Sequence, residues 1–232
     1  MTNDTGSVGD AVVLKLGGSL ITEKDRPETL HGGGSFGHHH ASEHGVSTAT
    51  GTHDAGAVMD IHGAMTTLNR FVLSRLQERG VPAVPVHPLS ASARLDGADG
   101  DLDLPMSSTA TLLGEGFVPV LHGDGVATAD AGVTVVSGDE LVVELATRLD
   151  ARRVGVCSTV PGVLDDDGTV IPAIDSFETV ADVLGGSEST DVSGGMAAKV
   201  RELLALDAPA SVFGADGLEP FLRGEDPGTR ID

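Results

Sequence analysis

Three lysines, Lys15, Lys24 and Lys199, are the only lysines among the 14 basic residues of this 232-residue chain. Each stands beside a glycine-rich or hydroxyl-rich segment. Lys15 closes the apolar run Ala11–Leu16 just before Gly17-Gly18-Ser19, and Lys24 follows Ser19 closely. Lys199 comes about one helical turn after Ser193-Gly194-Gly195. A further cluster, His31-Gly32-Gly33-Gly34-Ser35-Phe36-Gly37-His38, lies between them in sequence. This is the vocabulary of phosphate binding. Glycine lets backbone N–H groups approach an anion, a helix N-terminus adds a favourable dipole, and an ammonium is a compact charge for phosphoryl oxygens. The competing reading for each lysine is an ordinary ion pair, most of all for Lys24 between Glu23 and Asp25.

Other reactive residues give weaker signals. The run His38-His39-His40 suggests metal, but adjacent side chains project in different directions, so no protein-held metal is expected; His38 reads better as a donor to an anionic substrate. His44, His53 and His62 have no interpretable spacing, and His122, before Gly123-Asp124-Gly125, reads as a turn residue or one facing the site. Ser35 has no Ser-His-Asp context, which argues against a hydrolase. Cys157 is the single cysteine, within Arg153-Val154-Gly155-Val156-Cys157; it excludes an internal disulfide and reads as a buried, inert thiol.

The elements that must position these residues alternate. Strands are predicted at Ala11–Leu16, Val81–His87, Phe117–Leu121, Val133–Val136, Val154–Cys157, Ser211–Phe213 and Thr229–Ile231. Helices are predicted over Ala55–Arg79, Ser107–Glu115, Asp139 to about Leu149 capped by Ser137-Gly138, Ser176–Leu184 and Met196–Leu206. In the first helix Val58, Ile61, Met65, Leu68, Val72 and Leu76 form the apolar stripe. Pro82 and Pro85 push their strand toward a sheet edge. The alternation predicts a three-layer α/β/α sandwich with a mainly parallel sheet. Residues 1–150 are expected to form a substrate lobe and 151–232 a nucleotide lobe of one structural domain.

Composition limits the partners. Thirty-five acids give a formal charge of −21, which repels nucleic acid and anionic membranes. Such self-repulsion weakens as the Debye length falls from about 10 Å at 0.1 M salt to about 3 Å at 1 M. The chain therefore reads as adapted to a halophilic cytoplasm. No apolar run is long enough for a membrane span, and the polar, acidic start is unlike a signal peptide.

Lys15-Leu16-Gly17-Gly18-Ser19-Leu20-Ile21-Thr22-Glu23-Lys24 resembles the opening motif of the amino acid kinase superfamily. The His31–His38 cluster resembles the second glycine loop of its isopentenyl phosphate kinase branch. Ser137-Gly138-Asp139, Asp191–Lys199 and Gly228-Thr229-Arg230-Ile231 match later motifs, so the resemblance spans nearly the whole chain. It implies transfer of the ATP γ-phosphoryl group to isopentenyl phosphate, with Mg²⁺, by a cytoplasmic homodimer in an archaeal mevalonate route. Carried over by residue, Lys15, Gly17, Gly18 and Ser19 hold ATP phosphates and Lys24 stabilises the transition state. Gly33 and His38 bind the substrate phosphate, and Gly34 the nucleotide. Gly138 contacts substrate, Asp139 organises the site, and Gly195 and Lys199 bind ATP. Thr159 stands where the family usually has an acid that contacts the nucleotide.

Relative to that family, roughly 30 residues are missing between the first lysine motif and the second glycine loop, a helix and an apolar strand. The alternatives are another small-molecule kinase of the superfamily, or a catalytically impaired nucleotide-binding variant.

Overall fold

The computed structural model describes residues 11–17, 20, 39–185 and 195–232. In chain order, β1 (Val12–Leu16) is followed by α1 (Ala55–Gln77), β2 (Ala83–Pro85), β3 (Ala93–Arg94), β4 (Leu102–Asp103) and α2 (Ser107–Gly114). Next come β5 (Val118–Val120), β6 (Asp124–Thr128), β7 (Gly132–Val136), α3 (Gly138–Arg148), β8 (Arg153–Cys157) and β9 (Ala173–Ile174). The chain then forms α4 (Ala181–Gly185), α5 (Gly195–Leu204), β10 (Ala210–Phe213), α6 (Leu218–Leu222) and β11 (Thr229–Ile231).

Among the described residues the strands form three sheets. The largest has the order β1-β8-β10-β11-β9, parallel except for the β10–β11 pair. The four-stranded sheet runs β4-β3-β6-β7, and β2 pairs with β5 alone. The predicted strand Val81–His87 thus shrinks to three residues with a single partner, as its prolines require. The β6–β7 hairpin, with Asp124 opposite Val136, stands where the sequence suggested only a turn before one strand.

The core of the five-stranded sheet follows from period-two alternation. On β1, Val13 faces one way and packs with Val142 and Ala146 of α3 and Val200 and Leu203 of α5. Leu14 and Leu16 face the other way, toward Phe213 and Phe221. β8, paired on both sides, is apolar and buried from Val154 to Cys157, as parallel strands covered by helices are. Helices on both faces give the three layers expected. Lys15 shares the face of Val13, so its side chain is directed at the layer holding α3 and α5.

α1 is capped by Asp54, whose carboxylate accepts from Gly56 N at 2.8 Å. Its buried face consists of Ala57, Ile61, Met65, Leu68, Asn69 and Leu73. Val58, Val72 and Leu76 of the predicted stripe are only half-buried.

Gly228 ties the end of the chain to the sheet. Its φ is +71°, and an added Cβ would stand 2.1 Å from the Val212 carbonyl oxygen and 2.7 Å from that of Pro161. Both obstacles are backbone, so neither can swing away. Gly228→Ala is expected to destabilise the fold by about 3 kcal/mol, a Tm loss on the order of 10 °C. Thermal melts in molar KCl check this; an unchanged Tm contradicts it.

Candidate active site

The carboxyl ends of β1, β8 and β10 lie side by side, with Leu16 opposite Cys157 and Cys157 opposite Phe213. In parallel α/β sheets this is the edge where ligands bind. Gly17 leaves β1 here. Its N–H donates to the Cys157 carbonyl at 2.7 Å, and a Cβ on Gly17 would come within 2.8 Å of that same oxygen. Only glycine permits so close a turn between two strand ends. Thr159 lies on the bend after β8, exposed, at the same edge.

Two helices begin over this edge. Ser137 caps α3, accepting from Glu140 N at 3.1 Å, and sets Gly138 and Asp139 in the first turn. Gly195 opens α5 with φ +66°, and Lys199 follows one turn later. The three elements converge on Asp139. Its carboxylate forms an ion pair with Lys15 and a second with Lys199, whose Nζ is 3.3 Å from Oδ1 and 3.4 Å from Oδ2. Gly138 lies against the lysine stem, where a Cβ would stand 3.4 Å from Lys15 Cε.

The charges shape one another. Burial lowers the Lys15 pKa below the ordinary 10.5; Asp139 opposes that shift and the like charge of Lys199 adds to it. Burial alone would raise Asp139, but Lys15 and then Lys199 overcome this and hold its carboxyl below its ordinary value. The result is one carboxylate spacing two ammonium groups on separate elements at a strand-and-helix edge, with Glu202 a second acid close enough to feel both lysines. That arrangement can hold and neutralise a polyphosphate.

The structure therefore brings together Lys15, Gly17, Gly138, Asp139 and Lys199, with Gly195 on the helix that carries Lys199. Gly18, Ser19, Lys24, Gly33, Gly34 and His38 lie outside the described residues.

One group escaped the sequence reading. His62 of α1, His87 after β2, and His122 and Asp124 at the start of β6 form a cluster. His62 Nδ1 is 3.0 Å from both Asp124 carboxylate oxygens, and His87 Nδ1 is 2.8 Å from His122 Nε2. These residues come from separate elements, so no sequence spacing links them. The one available signal was the Gly-flanked Asp124 leading into an alternating Val126–Thr128 segment. His122, read as a turn residue or one facing the site, is packed into this cluster.

A family model described as the amino acid kinase family matches residues 10–206. The chain belongs to the amino acid kinase family. Within that family it is similar to an isopentenyl phosphate kinase of Haloferax volcanii, 60% identical over 244 residues, covering 95% of this chain and 98% of that protein. An isopentenyl phosphate kinase of Methanothermobacter thermautotrophicus is 31% identical, with 95% and 98% coverage. A solved structure of an isopentenyl phosphate kinase superposes with TM-score 0.78 at 27% identity, covering 95% of this chain and 99% of that one. The amino acid kinase fold is thus present nearly end to end.

The Haloferax alignment is longer than the part of this chain that it covers. Covering 95% of this chain takes about 220 residues, yet the alignment spans 244, so about 24 positions of that relative have no partner here. Among the described residues β1 pairs with β8 on one side and with no strand on the other.

Proposed function

We propose that this chain is an isopentenyl phosphate kinase, transferring the γ-phosphoryl group of ATP to isopentenyl phosphate to give isopentenyl diphosphate and ADP. The observation that carries the chemistry is Asp139 held between Lys15 and Lys199 at the carboxyl edge of the parallel sheet. The choice of acceptor follows the similarity to the Haloferax kinase over nearly the full length of both chains.

The reaction makes modest demands on the protein. The attacking phosphate oxygen is already ionised near neutral pH, so no strong base is required. The barrier is repulsion between two anions, lowered by alignment and by positive charge. Lys15 and Lys199 supply that charge to the nucleotide. The Gly138 amide, at the first turn of α3, is the contact for the acceptor phosphate. Lys24 and His38 complete the site as the resemblance implies. Mg²⁺, brought in with ATP, would add positive charge to the phosphates beside Lys15 and Lys199. Among the described residues no group of three His, Cys, Asp or Glu is arranged to hold a metal, and the Asp139 carboxylate is occupied by two ammonium groups. The segment to residue 150 acts as the substrate lobe and the remainder as the nucleotide lobe. The enzyme works in the cytoplasm as a homodimer, with α1 the interface candidate, since Met59 and Phe71 on it are exposed.

The short sequence separation between Lys24 and His31 relative to the family favours a second reading, a nucleotide-binding protein with impaired turnover. Calorimetric titration with MgATP and with isopentenyl phosphate in molar KCl, followed by an ADP-release assay, separates the two. Binding of both ligands, with ADP released only when isopentenyl phosphate is present, is expected. Nucleotide binding without turnover supports the second reading, and turnover with a carboxylate acceptor alone overturns the first.

A further inference from the structure

The histidine cluster adjoins the proposed substrate contact. Gly123 enters β6 opposite the end of β7, and a Cβ built on it would stand 3.2 Å from the Val136 carbonyl oxygen and 3.7 Å from the Gly138 nitrogen. A methyl group on Gly123 would touch the Gly138 nitrogen, so the two glycines are close neighbours and the Gly123 peptide forms a wall beside the Gly138 amide.

The hydrogen bonds assign every tautomer. His122 Nδ1 lies 2.9 Å from the Gly123 carbonyl oxygen, which can only accept, so Nδ1 carries a proton. Burial lowers the His122 pKa, against the Gly123 carbonyl and the Asp124 charge, while His87 and His62 add to the lowering. The ring is thus neutral near pH 7, and its Nε2 is an acceptor. The partner at 2.8 Å, His87 Nδ1, must then donate. His62 Nδ1 faces a carboxylate and also donates. Asp124, 1% exposed, is satisfied by His62, by Gly125 N at 2.8 Å and more loosely by Leu89 N at 3.4 Å. The rings of His62 and His87 meet edge to face at 5.7 Å, which closes the cluster. One chain of directed bonds runs from His87 through His122 to the Gly123 carbonyl.

We propose that His122 is a positioning residue for acceptor binding: its Nδ1–H fixes the Gly123 peptide that flanks Gly138, with His87 and the Asp124–His62 pair orienting the ring that does so. The inference rests on the kinase reading above, because Gly138 is there the contact for the acceptor phosphate. It assigns function to side chains outside the lysine-and-glycine motifs.

Two substitutions isolate the bond. In His122→Asn the side-chain amide nitrogen takes the place of Nδ1 and can still donate to Gly123, although the acceptor for His87 is lost. In His122→Gln the polar group moves toward the Nε2 position and the Gly123 bond is lost. KM for isopentenyl phosphate is expected to rise roughly ten- to hundredfold in His122→Gln and His122→Ala, the size of one buried hydrogen bond's loss. KM for ATP should hold, and His122→Asn should recover most of the acceptor KM. Exposed His44, paired with Asp60 on the surface, serves as control, and His44→Ala should leave both constants unchanged. Imidazole ¹⁵N spectra of the wild-type protein give an independent reading. Nδ1–H tautomers at His62, His87 and His122 are expected, and an Nε2–H tautomer at His122 overturns the proposal even if variants fail to fold. Wild-type turnover with equal KM in all three His122 variants also overturns it. A wild-type protein that releases no ADP sinks the kinase reading instead, and the spectra still decide whether the directed chain exists.

Discussion

Asp139→Asn is expected to lower kcat by at least about a hundredfold and to destabilise the fold by about 3 kcal/mol or more. Asparagine keeps the shape of the side chain and deletes the charge that spaces two ammonium groups. The side chains of Lys15, Asp139 and Lys199 are 17%, 14% and 18% exposed, so water replaces the lost carboxylate only in part. Removing one partner of a buried ion pair leaves an uncompensated charge, costing about 3–5 kcal/mol, and here two like charges are left together. The structure has one escape, which is for Lys15 to shed its proton. Burial already lowers that pKa and Asp139 is the main force opposing the shift. A neutral Lys15 would relieve the repulsion but no longer hold an ATP phosphate. The variant should therefore lose activity even where it folds, and its KM for ATP should rise. Steady-state kinetics and thermal melts in molar KCl test this. A variant with wild-type kcat removes Asp139 from the site.

The legibility of this fold depended on how locally each feature is encoded. β1 was visible because Ala11–Leu16 is apolar but for Lys15 and ends at a glycine turn, and β8 because Val154–Cys157 is an apolar run. The start of α3 was visible because Ser137 is a capping residue followed by acids in the first turn. By contrast β3, β4 and β9 are two residues long and leave no periodic trace. β6 begins with a buried aspartate between glycines, a composition that reads as a turn until His62 is placed beside it. The α1 stripe was displaced at its ends for a related reason. Ala57 and Asn69 are buried but give little hydropathic signal, while Val58 and Val72 give a strong one and are only half-buried. Of the site, the lysines and their glycines were legible as motifs. That Lys15 and Lys199 would share one carboxylate, from β1 and α5, depends on the pairing of β1 with β8 and on packing between layers, which local sequence does not carry. The same distance problem hid His87 and His122, which lie 35 positions apart.

The two lysines on Asp139 should separate in their effects. Lys15→Ala is expected to lower kcat by at least about a hundredfold, whereas Lys199→Ala should mainly raise the KM for ATP. Lys15 sits at the end of β1 beside Gly17, where the strand edge meets the first turn of α3, and its ammonium is held against the site by Asp139. Lys199 reaches the same carboxylate from one turn inside α5 at a longer distance, and holds bound nucleotide from the other side. Neither variant leaves Asp139 unpaired, since the remaining lysine stays in place, so stability should change less than in Asp139→Asn. The pH profile separates the two further. Because the folded Lys15 pKa lies below 10.5, its charge is fully present in the acid range and is lost as pH rises through that lowered value. Activity should then decline at a lower alkaline pH than ordinary lysine titration predicts. Stability has the opposite sign. Between the folded pKa and the ordinary value the unfolded chain binds more protons, so the Lys15 contribution to unfolding free energy increases with pH across that window. An alkaline loss of turnover while the protein remains folded is therefore the signature of Lys15 itself. It should persist in Lys199→Ala, moved upward because a like charge has been removed. If instead activity and folded structure are lost at the same alkaline pH, deprotonation of Lys15 is not what stops the reaction, and its ammonium is not required at the phosphates.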